Sequence, residues 1–438
     1  MTKKIPIEGL KTGMFVSGLQ KDEASDMLSF MNSILIKDET EIDKFKSKGY
    51  LSAYIVEDDP RTLPLKTPQK DEAVSSGAVA ERLPLEKTDA TSAGPPPIVE
   101  ALKPCDAQVA KAGAPIAGDA VDFNEELRDA REVRDEAEDL VRCFMQSVRA
   151  GEEIETDRVN ETVGKMVSSI FRNQDALTSL ARLKSFDDYT FAHSVNVCIL
   201  SLTLGRHMAL SEEALHNLGV GAILHDIGKM LVPETILNKP GALSDTEFKE
   251  MKRHTELGGD LLCRTKNITD ESRRVTLHHH EKFDGSGYQD SLSGEDIHLF
   301  ARIAAVADVY DAMTSNRVYQ KGMLPEAALK KMYLMRGTHF DPALVERLIR
   351  SLGIYPIGSF VELSTGELAV VRMPNHEHPL QPRVLIFSRK DKTPCEKRLE
   401  VDLKGEIGRW IIAARDPGPL KPVIDRIMAE AEGPSFAS

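Results

Sequence analysis

Cysteine is scarce in this sequence and nowhere forms a close pair. The chain has five, at Cys105, Cys143, Cys198, Cys263 and Cys395, with no C-x-x-C arrangement among them. An odd number of scattered cysteines argues against a disulfide framework and against a zinc site built from thiolates. We therefore expect free thiols.

The chain also lacks a long apolar run and an excess of positive charge. No stretch approaches the ~20 uninterrupted apolar residues that a membrane span needs, and residues 1–6 do not resemble a secretion signal. With a formal net charge of -13, the average surface would repel nucleic-acid phosphates. These absences predict a cytosolic protein with no DNA and no membrane partner, although a local group of cations could bind a small anion.

The beginning of the chain divides into two regions of different composition. Residues 1–60 alternate short apolar runs, such as residues 54–56, with turn signals, which predicts a strand-rich N-terminal module with one helix near residues 42–48. Residues 61–120 are rich in Ala, Pro, Ser, Lys and Glu and have no hydrophobic period, which is typical of a flexible linker. The module has no catalytic cluster, so we expect it to serve folding or docking.

Residues 121–350 have the spacing of helices. Apolar residues that include Val133 and Phe144 form one stripe, which predicts a helix from Asp122 among leading helices over residues 122–185. That stripe is expected to pack on the core, or alternatively on a second copy of the chain in a homodimer. Further helical runs cover residues 215–224, 245–263, 270–280 and 297–314, and Gly228 is expected to end the first of these beyond His225 and Asp226.

Residues 351–438 return to strand patterns. A hairpin is predicted to turn at Thr365 and Gly366, and residues 383–387 read as another strand, which indicates a small C-terminal β subdomain and tail. The predicted fold class is mostly α, a helical bundle with a small strand-rich N-terminal module and a small C-terminal sheet.

Histidines and aspartates recur in order along the helical region. One histidine alone is more often structural than a ligand, but His225 and Asp226 are followed by the pair His279 and His280. Imidazoles and carboxylates without thiolates suit Fe, Mn, Ni or Zn, and two ions ~3.5–4 Å apart can activate water and clamp a phosphoryl group. The pattern therefore predicts metal-dependent hydrolysis of a phosphoester. The candidate ligands are His193, His225, Asp226, His254, His279, His280 and Asp308.

The residues from about 187 to 341 carry motifs of a known family. They are Tyr189-Thr190-x-x-His193-Ser194, His225-Asp226-x-Gly228-Lys229, His254, His279-His280-Glu281-x-x-Asp284-Gly285-x-Gly287-Tyr288 and Asp308-x-x-Asp311-Ala312-Met313-Thr314. On these motifs the region resembles the HD-GYP domain, a branch of the HD phosphohydrolases. The start, Ile5-Pro6-x-x-x-Leu10-x-x-Gly13-Met14, is similar to a domain of unknown function often found before HD-GYP domains in bacteria.

The resemblance implies a metal-dependent phosphodiesterase that hydrolyses cyclic di-GMP, a bacterial second messenger, to linear pGpG and in some members on to GMP. It implies two divalent transition metals, Fe, Mn or Ni rather than Zn or Mg, held by the seven candidate ligands with Asp226 as the bridge. Lys229 would act with Asp226 in catalysis by offsetting charge at the phosphate, while Arg317 and Lys321 would bind substrate. Diguanylate cyclase-type signalling proteins are the implied partners. The signature loop would contain Asp284, Gly285, Gly287 and Tyr288.

Several positions depart from the family pattern, and three of them bear on the rim of the site. Gln289 stands where the family has proline, which puts the loop geometry or the choice of partner in question. Tyr189 stands where members with three metals carry a glutamate, which favours two metals. Gln320 stands where the family has arginine, so substrate affinity is expected to suffer unless Lys321 supplies the charge.

Two alternatives use the same residues. A catalytically weakened cyclic di-GMP-binding signalling module would bind without turnover, although the retention of every ligand argues against it. A different substrate, such as a nucleotide monoester, fits the His-Asp pair but not the signature loop. Asp311 is expected to cap or brace its helix and Asp284 to shape a turn. The histidines expected to be structural are His207, His216, His278, His298 and His339.

Overall fold

The computed structural model of the chain has two units, Met1–Ala80 and Glu81–Ser438. The residues that the structure describes are 2–11, 15–20, 28–35, 42–43, 46, 51–56, 120–181, 189–239, 241, 243–315, 322–406, 408–420, 423–424 and 426. The predicted linker therefore lies almost wholly outside the described residues. No helix in the described part combines the length and the apolar character that a membrane crossing requires.

The first unit contains an antiparallel sheet, as the strand pattern predicted. Its strands are β1 (Thr2–Pro6), β2 (Phe15–Gln20), β3 (Leu28–Leu35) and β4 (Ser52–Val56), in the order β1-β4-β2-β3. Strand β1 lacks an apolar run, so the sequence did not reveal it, and pairing with β4 places it at the sheet edge. Of the helix predicted near residues 42–48, the structure describes only Ile42, Asp43 and Lys46 as helical.

The second unit begins with a bundle of helices, which confirms the mostly helical fold class. Asp122 caps the first helix by accepting a hydrogen bond from the backbone N–H of Asn124 at 2.9 Å. The helices are α1 (Phe123–Ala150), α2 (Thr156–Arg172), α3 (Gln174–Leu180), α4 (Tyr189–His207), α5 (Glu212–Ile223), α6 (Glu234–Leu237), α7 (Asp245–Lys252), α8 (His254–Arg264), α9 (Asp270–His278), α10 (Leu299–Thr314), α11 (Pro325–Leu334) and α12 (Pro342–Leu352).

Two helix boundaries differ from the sequence prediction. The run over residues 245–263 is two helices, α7 and α8, that meet at Arg253. Helix α5 ends at Ile223 rather than near Gly228, so His225 and Asp226 lie in the turn that follows it. Gly228 is required for packing instead, since a Cβ there would run into the carbonyl oxygen of His254.

The chain continues into an antiparallel sheet of five strands. They are β5 (Phe360–Leu363), β6 (Leu368–Met373), β7 (Arg383–Ser388), β8 (Pro394–Asp402) and β9 (Ile411–Ala414), in the order β8-β7-β6-β5-β9. Strands β5 and β6 form the predicted hairpin, and Gly366 in its turn has φ of 88°. Val361 and Ala369 share a core with the helices, while Phe360 and Val370 pack on the opposite face. Burial of both faces explains why these strands are apolar almost throughout.

Candidate metal centre

Five segments of the bundle bring the seven candidate ligands together. Helix α4 packs against α5 and α10, and α8 packs against α9 and the 3-10 turn Ile227–Leu231. His193 lies in α4, the His225-Asp226 pair follows α5, and Asp308 lies in α10. His254 is the first residue of α8, and the His279-His280 pair immediately follows α9. Because the ligands come from separate helices and from the turns that follow them, packing of the bundle fixes the site.

The ligand atoms form two adjacent groups. One consists of Asp226, His254, His279 and His280, and the other of His193, His225 and Asp308. Within each group the candidate donor atoms lie within 4.8 Å of one another. The seven residues predicted from the sequence make up both groups completely.

Asp226 lies between the two groups and presents one oxygen to each. Its Oδ1 is 3.5 Å from Nε2 of His254 and 3.8 Å from Nε2 of His279. Its Oδ2 is 3.2 Å from Nε2 of His225 and 3.9 Å from Nε2 of His193. Only 3% of Asp226 is exposed, so solvent does little to screen this carboxylate. A carboxylate in this position can bridge two cations.

The imidazole rings are oriented by hydrogen bonds on their outer nitrogens. Nδ1 of His225 donates to the carbonyl of Ala222 at 2.8 Å, and Nδ1 of His254 donates to that of Met251 at 2.8 Å. Nδ1 of His279 lies 3.1 Å from the carbonyls of Val275 and Thr276. A carbonyl can only accept, so each Nδ1 carries the proton and each Nε2 presents a lone pair to the site.

The inward-facing atoms are the ones that a cation would satisfy. Nε2 of His254 lies 3.5 Å from Nε2 of His279, but neither nitrogen carries a proton, so no hydrogen bond can form between them. Nε2 of His225 and Oδ1 of Asp226 are buried without a hydrogen-bond partner. Buried polar atoms are normally paired, and unpaired acceptors gathered at one point favour a bound positive charge. The donor set therefore fits divalent metal ions.

Protonation in the site also favours metal binding for most ligands. Burial lowers the pKa of His254 and His279, and it lowers that of His280 to about 3, so these rings are neutral. Burial tends to raise the pKa of both carboxyl groups, Asp226 and Asp308, but their neighbours outweigh it. The charges of Lys229 and His225 hold the pKa of Asp226 well below its ordinary value. A hydrogen bond with His193 does the same for the pKa of Asp308.

His193 differs from the other histidines. Burial tends to lower its pKa, but hydrogen bonds with Asp308 and Asp311 outweigh burial and raise the pKa to about 9. Its Nε2 lies 3.1 Å from Asp308 and its Nδ1 lies 2.7 Å from Asp311. A metal ion at Nε2 would therefore have to displace a proton.

Asp311 has a larger part in the site than the sequence indicated. The predicted brace of the helix is present, since Ser315 bonds this carboxylate, but Asp311 also accepts hydrogen bonds from His193 and Asn196. It therefore orients a candidate ligand from behind, an arrangement common for metal-binding histidines. The signal available in the sequence was its position three residues after Asp308, on the same side of α10.

Lys229 places a cation directly at the site. It forms an ion pair with Oδ2 of Asp226, and its side chain is 27% exposed, so it reaches the buried carboxylate from the solvent side. The ammonium thus lies where an anionic ligand would approach.

The signature loop closes over one side of the centre. Gly287 allows it to pass close to Glu281 and Lys282, where a Cβ would meet their backbone atoms. The Tyr288 ring stacks on His280, with centroids 4.8 Å apart. Asp284 accepts from the N–H of Ser286 at 2.9 Å and shapes the turn as expected. Gly285 follows with φ of 82°.

Other predicted residues lie away from the centre or outside the described chain. Arg317, Gln320 and Lys321 fall outside the described residues, as does the side chain of Tyr189, whose backbone begins α4. Among the described residues, the two ligand groups contain none of the histidines that were predicted to be structural. His278 bonds Asp290 at 2.9 Å, and His298 caps α10 by accepting from the N–H of Phe300.

Comparisons with known proteins match both parts of the chain. A family model described as HD domain matches residues 166–344, and one described as a domain of unknown function (DUF3391) matches residues 2–159. Cyclic di-GMP phosphodiesterase PA4108 of Pseudomonas aeruginosa is 35% identical over 404 residues, which cover 92% of this chain and 89% of that protein. The cyclic di-GMP phosphodiesterase response regulator RpfG of Xanthomonas campestris pv. campestris is 40% identical over 41% of this chain and 48% of its own. Among solved structures, Bd1817, an HDG"Y"P protein from Bdellovibrio bacteriovorus, aligns with a TM-score of 0.43 and 15% sequence identity. The alignment covers 80% of this chain and 98% of the Bd1817 chain.

Proposed function

Because the chain belongs to the HD-GYP branch of the HD phosphohydrolases, we propose that it is a metal-dependent phosphodiesterase that hydrolyses cyclic di-GMP. The observation that carries the proposal is the position of Asp226, whose two oxygens face two separate groups of histidines. A relative named for this activity aligns over nearly the whole chain, which supports the substrate.

The seven clustered residues would hold two divalent ions, with His254, His279 and His280 on one side of Asp226, and His193, His225 and Asp308 on the other. When bound, the ions would supply a nucleophile at neutral pH and neutralise charge on the phosphoryl oxygens. We propose Fe, Mn or Ni rather than Zn or Mg. The imidazoles that form most of the donor set disfavour Mg, and the preference over Zn follows from the resemblance to the HD-GYP family.

Several residues of the chain would contribute directly. Asp226 would contribute to holding both ions, and Asp311 would hold the ring of His193 in position. The ammonium of Lys229, on the solvent side of the Asp226 carboxylate, would be placed to contact a phosphoryl oxygen. It would then stabilise the negative charge that develops as the ester is cleaved.

The remaining features stay predictions. We propose linear pGpG as the first product and GMP as the product of a second hydrolysis. Arg317 and Lys321 are proposed to bind substrate, and Gly285 and Gly287 to give the signature loop its shape. A homodimer, diguanylate cyclase-type partners and a cytosolic location also remain as the sequence predicted them.

The decisive experiment combines elemental analysis with chromatography of the reaction products. Protein purified without oxygen should contain close to two transition-metal ions per chain and convert cyclic di-GMP to linear pGpG. Asp226→Ala should abolish turnover, while Asp260→Ala, which changes an exposed residue of α8, should retain it. Circular dichroism would check that both variants fold. Undiminished activity in Asp226→Ala would overturn the mechanism, and bound metal and cyclic di-GMP without product would favour the signalling module.

A further inference from the structure

A row of rings and one cation leads outward from the candidate metal centre. The Tyr288 ring stacks on His280, with an angle of 29° between their planes. The ammonium of Lys252 lies 5.0 Å from the centre of the Tyr288 ring and 4.8 Å from that of Phe248. Phe248 is 50% exposed, so the row ends at an aromatic side chain that faces solvent.

The position of this row follows from the local sequence. Phe248 and Lys252 are four residues apart on α7 and therefore lie on the same side of that helix. His254 follows two residues after Lys252, so the end of α7 is tied to the metal centre. The signature loop supplies Tyr288 from the other side. Two separate segments thus meet at the mouth of the centre.

The charge at this position is positive, although the whole chain is acidic. The acids nearest in sequence are already paired, Glu247 with Lys239 at 2.6 Å, and both Glu250 and Glu256 with Arg253. Among the described residues, no carboxylate lies within ion-pair distance of the Lys252 ammonium. Lys252 is half-buried, and its cation–π contacts are weaker than an ion pair with a phosphate, so the ammonium is available to such a partner.

We propose that Phe248 and Lys252 form a subsite for the half of the cyclic dinucleotide that is not being cleaved. This rests on the proposed function, since a cyclic dinucleotide has two phosphates and two bases and places only one phosphate at the metals. The second base stacks on Phe248, because aromatic side chains stack on nucleobases, and Lys252 binds the second phosphate as a point charge.

Exposed aromatic residues that occur singly are ordinary on protein surfaces, so a matched control is needed. Lys249 is the matched control for Lys252. It is an exposed lysine of the same helix, and among the described residues it makes no cation–π contact. Lys249→Gln makes the same change in net charge as Lys252→Gln. A difference between the two variants therefore reports position rather than charge.

The test compares steady-state kinetics of Phe248→Ala, Lys252→Gln and Lys249→Gln on two substrates. Cyclic di-GMP carries the second base and phosphate, whereas bis(p-nitrophenyl) phosphate has neither. Phe248→Ala and Lys252→Gln should each raise KM for cyclic di-GMP about tenfold with little change in kcat. Both should hydrolyse the small diester like wild type, and Lys249→Gln should match wild type on both substrates.

Other outcomes separate the subsite from the proposed function. An unchanged KM for cyclic di-GMP, or equal losses on both substrates, would overturn the subsite while leaving the phosphodiesterase activity in place. If wild type does not hydrolyse cyclic di-GMP, the proposed function fails, and calorimetric binding of cyclic di-GMP to the same metal-loaded proteins decides the subsite. Binding about tenfold weaker in Phe248→Ala and Lys252→Gln alone would support it, and equal or absent binding in all four proteins would overturn it.

Discussion

The hydroxyl of Thr255 donates a hydrogen bond to the side-chain carbonyl of Gln289 at 3.0 Å. Thr255 is buried and follows the candidate ligand His254, while Gln289 follows Tyr288 in the signature loop. The backbone of Gln289 has φ of 108°, a region that proline, fixed near about -65°, cannot enter. The glutamine therefore holds the loop to the centre in a conformation that the family's proline would not permit.

Thr255→Val should weaken this attachment of the signature loop. Valine has nearly the same shape but no hydroxyl, so the exposed side chain of Gln289 loses its link to the buried Thr255. The loss of one such hydrogen bond, about 0.5–1.5 kcal/mol, corresponds to a fall of up to about tenfold in kcat/KM for cyclic di-GMP. Steady-state kinetics would measure it. Thr265→Val, at the far end of α8, is the control, and equal losses in both variants would contradict the role of Thr255.

Gln289→Pro should be more damaging than Gln289→Gly. Glycine accepts φ of 108° and loses only the hydrogen bond with Thr255, whereas proline forces a different backbone and displaces Tyr288 from His280. We expect the proline variant to have the lower kcat/KM for cyclic di-GMP of the two. A proline variant as active as wild type would mean that the loop does not need this conformation.

Asp311→Asn should lower the affinity for metal. Asp311 accepts from His193, Asn196 and Ser315, whereas an asparagine offers one acceptor oxygen and turns its amide N–H groups toward other donors. Loss of such support behind a metal-binding histidine typically costs about 10–100-fold in metal affinity or activity. The measurement is activity against metal concentration after chelation.

Metal concentration distinguishes this positioning role from a structural one. In Asp311→Asn the half-saturating concentration should rise, and excess metal should restore most of the activity. Asp296→Asn, on an exposed turn, should behave like wild type. A variant with unchanged metal dependence but reduced activity at saturation would show that Asp311 does not act through His193.

The sequence predicted which residues cluster because each is a chemically distinctive residue in an ordered series, and their role as metal ligands stays a prediction. Ordered His and Asp residues identified all seven members of the cluster, and the 3.6-residue period identified the helices around them. It could not reveal that the carboxylate oxygens of Asp226 face different groups, or that Asp311 contacts His193 from 118 residues away. Those contacts depend on how α4, α5 and α10 pack, which no local pattern records.

The conformation around Gln289 was hidden for a related reason. The sequence showed that Gln289 replaces the family's proline and is therefore unusual. The positive φ of Gln289 and its hydrogen bond with Thr255 arise only when the loop meets α8. Likewise, the end of α5 was misplaced because Gly228 resembles a helix terminator. Its actual requirement is the close approach of another backbone, that of His254.

His207 should make stability depend on pH at a point remote from the metal centre. Burial first, and then His376, lower the pKa of His207 from 6.5 to about 4, with Arg206 and Arg347 acting in the same direction and Asp175 opposing them. Between these values the unfolded chain binds the proton and the folded chain does not. Stability from this group is therefore complete above about pH 6.5 and is lost as pH falls toward 4.

His207→Gln should remove this part of the pH dependence, because glutamine does not titrate. For wild type we expect this group to lower the free energy of unfolding by about 2 kcal/mol between pH 7 and pH 4.5. Urea denaturation of both proteins at pH 7 and pH 4.5 would measure the difference in slope. A simple packing defect would destabilise the variant equally at both pH values, and parallel pH profiles would show that His207 is not the group responsible.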